Sequence, residues 1–465
     1  MQYDAVLYPD EFLPGEVDSQ EVVSVPRSQC GTGFVLFLLV NAVLFIRPAD
    51  LLPDLESVPF YEILITLAAL ASMPVLVEQL SERMIRARPL TFFVVALLPA
   101  IVFSQLSHGI IYEARMGAVM FIKILVYYLL LVGLVDSPKR LKIFLFIIGL
   151  FILVMTTICI LNWHGFIDLD ALAPVAQWVN DDESGGSGVL MRMTGPGIFN
   201  DPNDLSLILS TGILLSVHFA FNRPRWLLRI AYLAAIAPFA YALSLTSSRG
   251  GLLALMGGLV VYLACRVRRK WSILLIGIML PAMLVAFGGR QTDIDLSNND
   301  DTFMGRVLLW RDSLVMFHQS PVFGIGIGNL AEENGLVAHN SYVHAFAELG
   351  LVGGTIFVGA LSVAVVGLWR LRKRRSELQS EELKAWWPCM CAMVAAYFIG
   401  LYSLSRVYAL PTYCILGVAC AYLSQAEAEA RGIFSPLSLR LLARTAVVGA
   451  CTLIYLEVFV RVFAG

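Results

Sequence analysis

The chain has 465 residues, of which 58% are hydrophobic and 15% charged, with a mean hydropathy of +0.75 and a formal net charge of −2. A soluble domain carries about 25% charged residues, so a soluble globular protein is excluded. The net charge carries little, because in such a chain the local distribution of charge outweighs the sum; nucleic acid is not an expected partner.

Apolar runs of about 18 or more residues recur from end to end, each long enough to cross a bilayer. They define an all-α polytopic membrane protein. The first 30 residues are acidic and polar, with Arg27 as their only basic residue. They lack the basic region and small-residue cleavage site of a signal peptide and read as a cytoplasmic tail. Spans are then expected at 33–47, 60–80, 89–107, 116–135, 141–162, 203–221, 227–246, 250–266, 271–288, 342–369, 385–404, 408–424 and 442–462, about 13 in all. The chain divides into the tail 1–30, N-terminal spans with a first long loop (31–190), a core with a large loop at 289–341 (191–360), and C-terminal spans (361–465).

Loop charges set the orientation. Basic clusters at Arg83/Arg86/Arg88, Lys139/Arg140/Lys142, Arg223/Arg225/Arg229, Arg266/Arg268/Arg269/Lys270 and Arg370/Arg372/Lys373/Arg374/Arg375 each follow an even-numbered span. Under the positive-inside rule these loops and the N-terminus are cytoplasmic. Both long loops, about 163–202 and 289–341, then lie on the outer face with the tight turn Thr246-Ser247-Ser248-Arg249-Gly250-Gly251.

Lys123 falls about two turns deep in the fourth span and has two readings, a lipid-phosphate ligand or a snorkelling cation. In the first long loop, Arg192 precedes GPGIFNDPNDLSL, where Asp201 and Asn203 suit helix capping before an apolar run. Arg249 breaks the positive-inside pattern; arginine presents a planar fork that fits phosphate oxygens, and the neighbouring glycines admit a ligand close to the backbone. Phe303, Val307, Trp310, Leu314 and Phe317 form one apolar stripe, flanked by Arg306 and Arg311 with Asp312 opposite. This predicts a helix lying in the membrane interface.

The run Gly324-Ile325-Gly326-Ile327-Gly328 follows no strand of a βαβ unit, so it is not read as a nucleotide loop. Asn340 or Ser341 is expected to cap the next span, with His339 at its outer rim, and histidine takes up a proton near neutral pH. His344 and Glu348 share a helix face at i,i+4 spacing, and an ionisable group within a span is a functional candidate. The eight cysteines are Cys30, Cys159, Cys265, Cys389, Cys391, Cys414, Cys420 and Cys451. They lie mostly in apolar runs and imply neither a disulfide nor a metal framework.

In their order along the chain, SSRGG, GR with a nearby Trp, SPVFGIGIGN and HNSYVHAFAELGLVGG resemble the O-antigen ligase and polymerase superfamily of bacterial membrane glycosyltransferases. The GPGIFNDPNDLSL block matches as well, so that the resemblance covers roughly 190–360. FIRPADLLPDLESVPFYE looks like the ligase-like branch found with exopolysaccharide and exosortase gene clusters. The resemblance implies a GT-C-like helical fold in the bacterial inner membrane and no metal or other cofactor. Its donor would be an undecaprenyl-pyrophosphate-linked glycan used at the periplasmic face, its acceptor a hydroxyl on a glycan, lipid or protein. It makes Arg249 and Arg306 pyrophosphate ligands, with Arg192 beside them and Arg311 a rival for Arg306. It makes His339 the base, and Glu348 either orients the acceptor or only pairs with His344. Membrane lipids are further partners. The competing reading is a transporter or flippase of lipid-linked saccharides, which should show paired half-repeats with helices broken at midplane; the sequence displays no such repeat.

Overall fold

The computed structural model describes residues 30–51, 53–55, 57–181, 186–222, 225–286 and 301–464. The expected tail at 1–29, the acidic groups Asp182, Glu183, Asp293 and Asp295, and the start of the large loop lie outside the described residues. The chain opens with α1 (Gly31–Ile46), α2 (Pro48–Leu51), α3 (Phe60–Ala71), α4 (Met73–Gln79), α5 (Glu82–Ala87), α6 (Pro89–Leu106), α7 (Ile111–Leu134) and α8 (Pro138–Trp163). After the hairpin of β1 (Val175–Asp181) and β2 (Gly186–Arg192) come α9 (Pro202–Phe221), α10 (Trp226–Thr246), α11 (Arg249–Arg266) and α12 (Arg269–Ala286). The remainder is α13 (Asp301–Gln319), α14 (Asn329–Asn334), α15 (Ser341–Arg374), α16 (Glu381–Gly400), α17 (Leu410–Glu429) and α18 (Leu439–Ala464).

This is an all-α polytopic membrane protein. Among the described residues, ten helices are long and apolar enough to cross a bilayer, and eleven if the bent pair α3–α4 is one span. The two other expected spans are helical as α12 and α17 without joining that set. α17 carries Thr412, Ser424, Gln425 and Glu427, which lower its hydropathy. The first three are buried, and each of the four makes at least one polar contact inside the protein: Gln425 Nε2, for example, donates to the Val135 carbonyl at 2.9 Å.

α9 is the most enclosed span, with 83% of its apolar window buried, whereas α10 and α18 at 17% form the lipid-facing rim. α11 fits against α9 and α16 because it is glycine-rich where they meet: Gly258 abuts Ala396 and Leu214, and Gly257 abuts Ile399. Small residues of this kind let membrane helices approach closely.

Two spans expected to be continuous are broken. α3 and α4 bend by 79° at Ser72, where Cys30 Sγ donates to the carbonyl of Ala71 at 3.0 Å. α15 is interrupted at Gly350, whose φ of 64° belongs to the left-handed region. In apolar surroundings the freed backbone groups must find partners within the protein, and here they do so by exchange. Leu351 and Val352 donate to the carbonyls of Pro321 and Val322 (2.8 and 3.2 Å), while Ile325 and Gly326 donate to those of Ala347 and Glu348 (3.0 and 3.1 Å). The glycine run 324–328 is thus a backbone graft onto the break. A Cβ at Gly324 would strike the Glu348 carbonyl, and one at Gly350 would strike Gly324 N. Ser104 Oγ and His108 Nε2 complete the joint at Glu348 O (2.6 Å) and Gly324 O (2.8 Å).

The α13 stripe also departs from expectation. Val307, Trp310, Leu314 and Phe317 are buried in protein, packed on α15 and α18. Phe317 meets Phe346 at 6.3 Å and Trp310 meets Phe459 at 5.6 Å between ring centroids. The stripe therefore faces neighbouring helices and not lipid; Trp310 also needs an acceptor for its indole N–H, which the Ala338 carbonyl supplies at 2.8 Å. Asp312, expected opposite the stripe, pairs with its neighbour Arg311. The long loop at 163–202 contains the hairpin, with Val175 opposite Arg192.

Candidate active site

The site is assembled where α9, α11, α15 and α17 begin and α10 and α16 end. Ser247, with φ 48°, turns α10 into α11. Ser248 caps α11 by accepting from Gly251 N at 3.1 Å and donates to Asn203 Oδ1 at 2.7 Å. Arg249 is therefore the first residue of a helix whose start is pinned to α9. Asn203 Oδ1 also accepts from Arg192 Nη2 (3.1 Å), while Arg192 Nε reaches the Thr246 carbonyl (2.8 Å) and Nη1 reaches Gln177 on β1 (3.1 Å). Arg192 thereby braces the hairpin against the α10–α11 turn. Asp201 caps α9 as expected, accepting from Asn203 N at 2.7 Å.

The histidine side is tied to the same framework. Asn340 caps α15, its Oδ1 accepting from Tyr342 N and Val343 N at 2.9 and 3.2 Å. Ser341 N donates to the Leu401 carbonyl (2.8 Å), and Ser341 Oγ accepts from Arg406 N (2.9 Å). The Arg406 guanidinium forks onto Asp204 through Nε–Oδ1 at 2.6 Å and a second contact from Nη2 to Oδ2. Asp204 follows Asn203, so a continuous chain of polar contacts runs from Arg192 through α9 and Arg406 to the residues beside His339.

His339 holds φ 50°, an uncommon conformation for a residue other than glycine. Its ring is pushed below the usual histidine range, first by burial, then by the Arg306 charge and more weakly by Arg406, with Asp201 opposing. Arg306 lies one helical turn before Trp310, whose bond to Ala338 fastens α13 beside His339. Burial works against the charge on Arg406, but the Asp204 carboxylate outweighs it and holds the guanidinium above its ordinary value. The site thus offers a neutral imidazole amid fixed cations and the positive ends of four helices, α9, α11, α15 and α17. Such an end is suited to an anion.

The other candidates are placed elsewhere. Arg311 is exposed, its Nε 3.0 Å from Asp312 Oδ1. Lys123 is half-exposed and its Nζ lies 3.3 Å from Glu62 on α3. Glu348 is 1% exposed; its Oε1 accepts from Gly328 N at 3.0 Å and its Oε2 lies 2.9 Å from His344 Nε2. Its carboxylate is engaged at the α15 break, and it is not among the charges acting on His339. The sequence reading missed Arg406 and gave Asp204 no role beyond helix capping. A signal was present, because Arg406 is a cation in a loop expected on the outer face, the same breach of the positive-inside pattern that marked Arg249. A further cation, Arg47, lies against Gly197 of the GPGIF turn and pairs with Asp50 at 3.2 Å. Among the described residues no group of three His, Cys, Asp or Glu is placed to hold a metal ion.

A bundle of this kind is a polytopic membrane protein with a basic, histidine-bearing end, and such an end is suited to an anion. Residues 233–358 match the family model described as O-Antigen ligase. That segment holds Arg249, Arg306 and His339, and its match supports the resemblance to the O-antigen ligase superfamily. No curated protein matches the chain. The family supports an enzyme of the ligase or polymerase kind, acting in general on lipid-linked glycan and acceptor substrates.

Proposed function

We propose that the protein transfers a glycan from undecaprenyl pyrophosphate to a hydroxyl acceptor at the periplasmic face of the inner membrane, by a single inverting displacement. The observation that carries this reading is His339, half-buried at φ 50° directly before the α15 cap and under the charges of Arg306 and Arg406, on a framework that also fixes Arg249 and Arg192. The acceptor hydroxyl is a poor nucleophile until His339 takes its proton, a step worth roughly 10²–10⁴-fold. As the new bond from the acceptor oxygen to the anomeric carbon forms, the bond from that carbon to the pyrophosphate oxygen breaks, and the electron pair leaves with the phosphate. That oxygen needs charge stabilisation, which preorganised guanidinium groups and helix N-termini supply most effectively where water is excluded. Arg249 and Arg306 are assigned to the pyrophosphate. Arg192 and Arg406 position them and His339 through Asn203, Asp204 and Ser341.

The test uses the full chain in proteoliposomes with a lipid-linked oligosaccharide donor and a glycan or glycolipid acceptor, comparing wild type with His339→Asn and Arg249→Gln. Loss of conjugate in both variants, with the donor still bound by His339→Asn, supports the transfer reading. Normal turnover in both removes the site. Movement of intact donor across the bilayer without conjugate would install the flippase reading instead.

A further inference from the structure

At the end of the bundle opposite His339, the last turn of α15, the segment 430–438 and the first turns of α18 enclose two adjoining hollows. The larger, of about 580 Å³, is lined by Arg370, Arg440 and Arg444 together with Ser435 and Ser438. The smaller, of about 260 Å³, shares Arg370 and Arg444 but is walled by Val363, Val366, Trp369, Phe434 and Val448. No acidic side chain lines either one, and none of the three arginines forms an ion pair among the described residues. The nearby Glu427 is spent on the wall itself, accepting from the backbone N–H groups of Gly432, Ile433 and Phe434 at 2.6, 2.6 and 2.9 Å. Three unneutralised cations in one recess repel one another and favour a bound anion. The start of α18, capped by Ser438 Oγ on Leu441 N at 3.3 Å, adds its positive end.

From this we infer that the paired hollows are a binding site for an anionic phospholipid, the phosphodiester among Arg370, Arg440 and Arg444 and an acyl chain in the apolar recess. The guanidinium fork matches phosphate oxygens. The apolar recess is continuous with the lipid-facing surface, since Val366, Trp369 and Val448 are also exposed side chains of the outer wall. A free phosphate would use the first hollow alone; the second hollow favours an amphiphile. Basic pockets between transmembrane helices are recurrent sites for such head groups. This inference is independent of the chemistry at the His339 end.

The experiment is native mass spectrometry of the delipidated full-length protein in a non-ionic detergent, titrated separately with phosphatidylglycerol, phosphatidylcholine and inorganic phosphate. Phosphatidylglycerol should be retained at least tenfold more tightly than phosphatidylcholine. Each arginine near an anionic head group should contribute about fivefold, so the triple variant Arg370→Gln/Arg440→Gln/Arg444→Gln should erase the preference. Val448→Trp, which fills the apolar recess, should weaken phosphatidylglycerol and leave phosphate unaffected. A control pair on another basic loop, Arg83→Gln/Arg86→Gln, should change nothing. Equal retention of the two lipids, an unaltered triple variant, or an equal loss in the control pair would overturn the proposal. Phosphate bound as tightly as phosphatidylglycerol would replace it with a head-group-only site.

Discussion

Asp204, in the first turn of α9, receives the forked guanidinium of Arg406 from a point 202 residues further along the chain. The pair is mostly enclosed, with side-chain exposures of 9% and 29%. It links the helix that carries Asn203 to the loop whose Arg406 N–H bonds Ser341 at the start of α15, so it helps fix how far His339 stands from Arg249. Removing one partner leaves the other charge without compensation, a cost of about 3 kcal/mol for a buried pair. Asp204→Ala and Arg406→Ala should each lower the thermal midpoint and reduce transfer. The double variant should lose clearly less than the two losses added, and a double-mutant cycle on unfolding midpoints measures that coupling. Simple additivity would mean that the contact carries no energy.

The pH dependence follows from the charges around His339. A general base works when neutral, and burial with Arg306 holds this ring below the ordinary value of 6.5. Activity should therefore rise with pH along an acid limb centred below that value and be flat above it. Arg306→Gln removes a positive neighbour, which raises the ring's pKa and moves the limb to higher pH. A rate profile from pH 5 to 8 on both proteins, at saturating and at low donor, decides it; a limb that stays in place or moves down refutes the assignment.

Asparagine tolerates positive φ better than most residues, so His339→Asn should keep the backbone while removing the base. The expected result is a loss of roughly 10²–10⁴-fold in turnover with little change in thermal midpoint. A large drop in stability would assign His339 to the fold instead.

The two cations that the fold sets apart provide the contrast. Arg311→Gln and Lys123→Gln should transfer at close to the wild-type rate, whereas Arg249→Gln should lose about 100-fold or more, the scale of removing one preorganised stabilising donor. Initial rates at matched protein in the membrane would show it. A Lys123 variant as inactive as the Arg249 variant would require a site extending to α7.

Gly350→Ala tests the helix break. The added Cβ would meet the backbone of Gly324 and Val322, and φ of 64° strains any L side chain. The expected cost is about 3 kcal/mol, read as a lower thermal midpoint and poorer recovery of monodisperse protein, while Gly277→Ala, with open space around it, should behave as wild type.

Much of the candidate site was legible because its residues violate local rules. Arg249 is a cation on the wrong face, Asn340 is a capping residue ahead of a long apolar run, and His339 stands directly before that cap; each signal lies within a few neighbouring positions. Arg406 broke the same charge rule but sits in a short loop with no glycine or motif around it, and its partner lies on another helix. The hairpin that carries Arg192 was hidden as well, since a two-stranded ribbon in a polar loop leaves little hydrophobic pattern.

By itself, then, the sequence determined the positions and order of the apolar helices, the charge bias of their loops and most of the caps, because a bilayer demands about 20 apolar residues per span and helix ends demand local acceptors. Tertiary structure alone decided which polar groups meet. It brought Arg306 rather than Arg311 beside His339, spent Glu348 on the joint at Gly350, and turned a glycine run into the backbone partner of a broken helix. Those outcomes depend on hydrogen bonds between segments as much as 244 residues apart, such as Ser104 to the Glu348 carbonyl. Contacts at that range follow from how whole helices pack, which no local periodicity encodes.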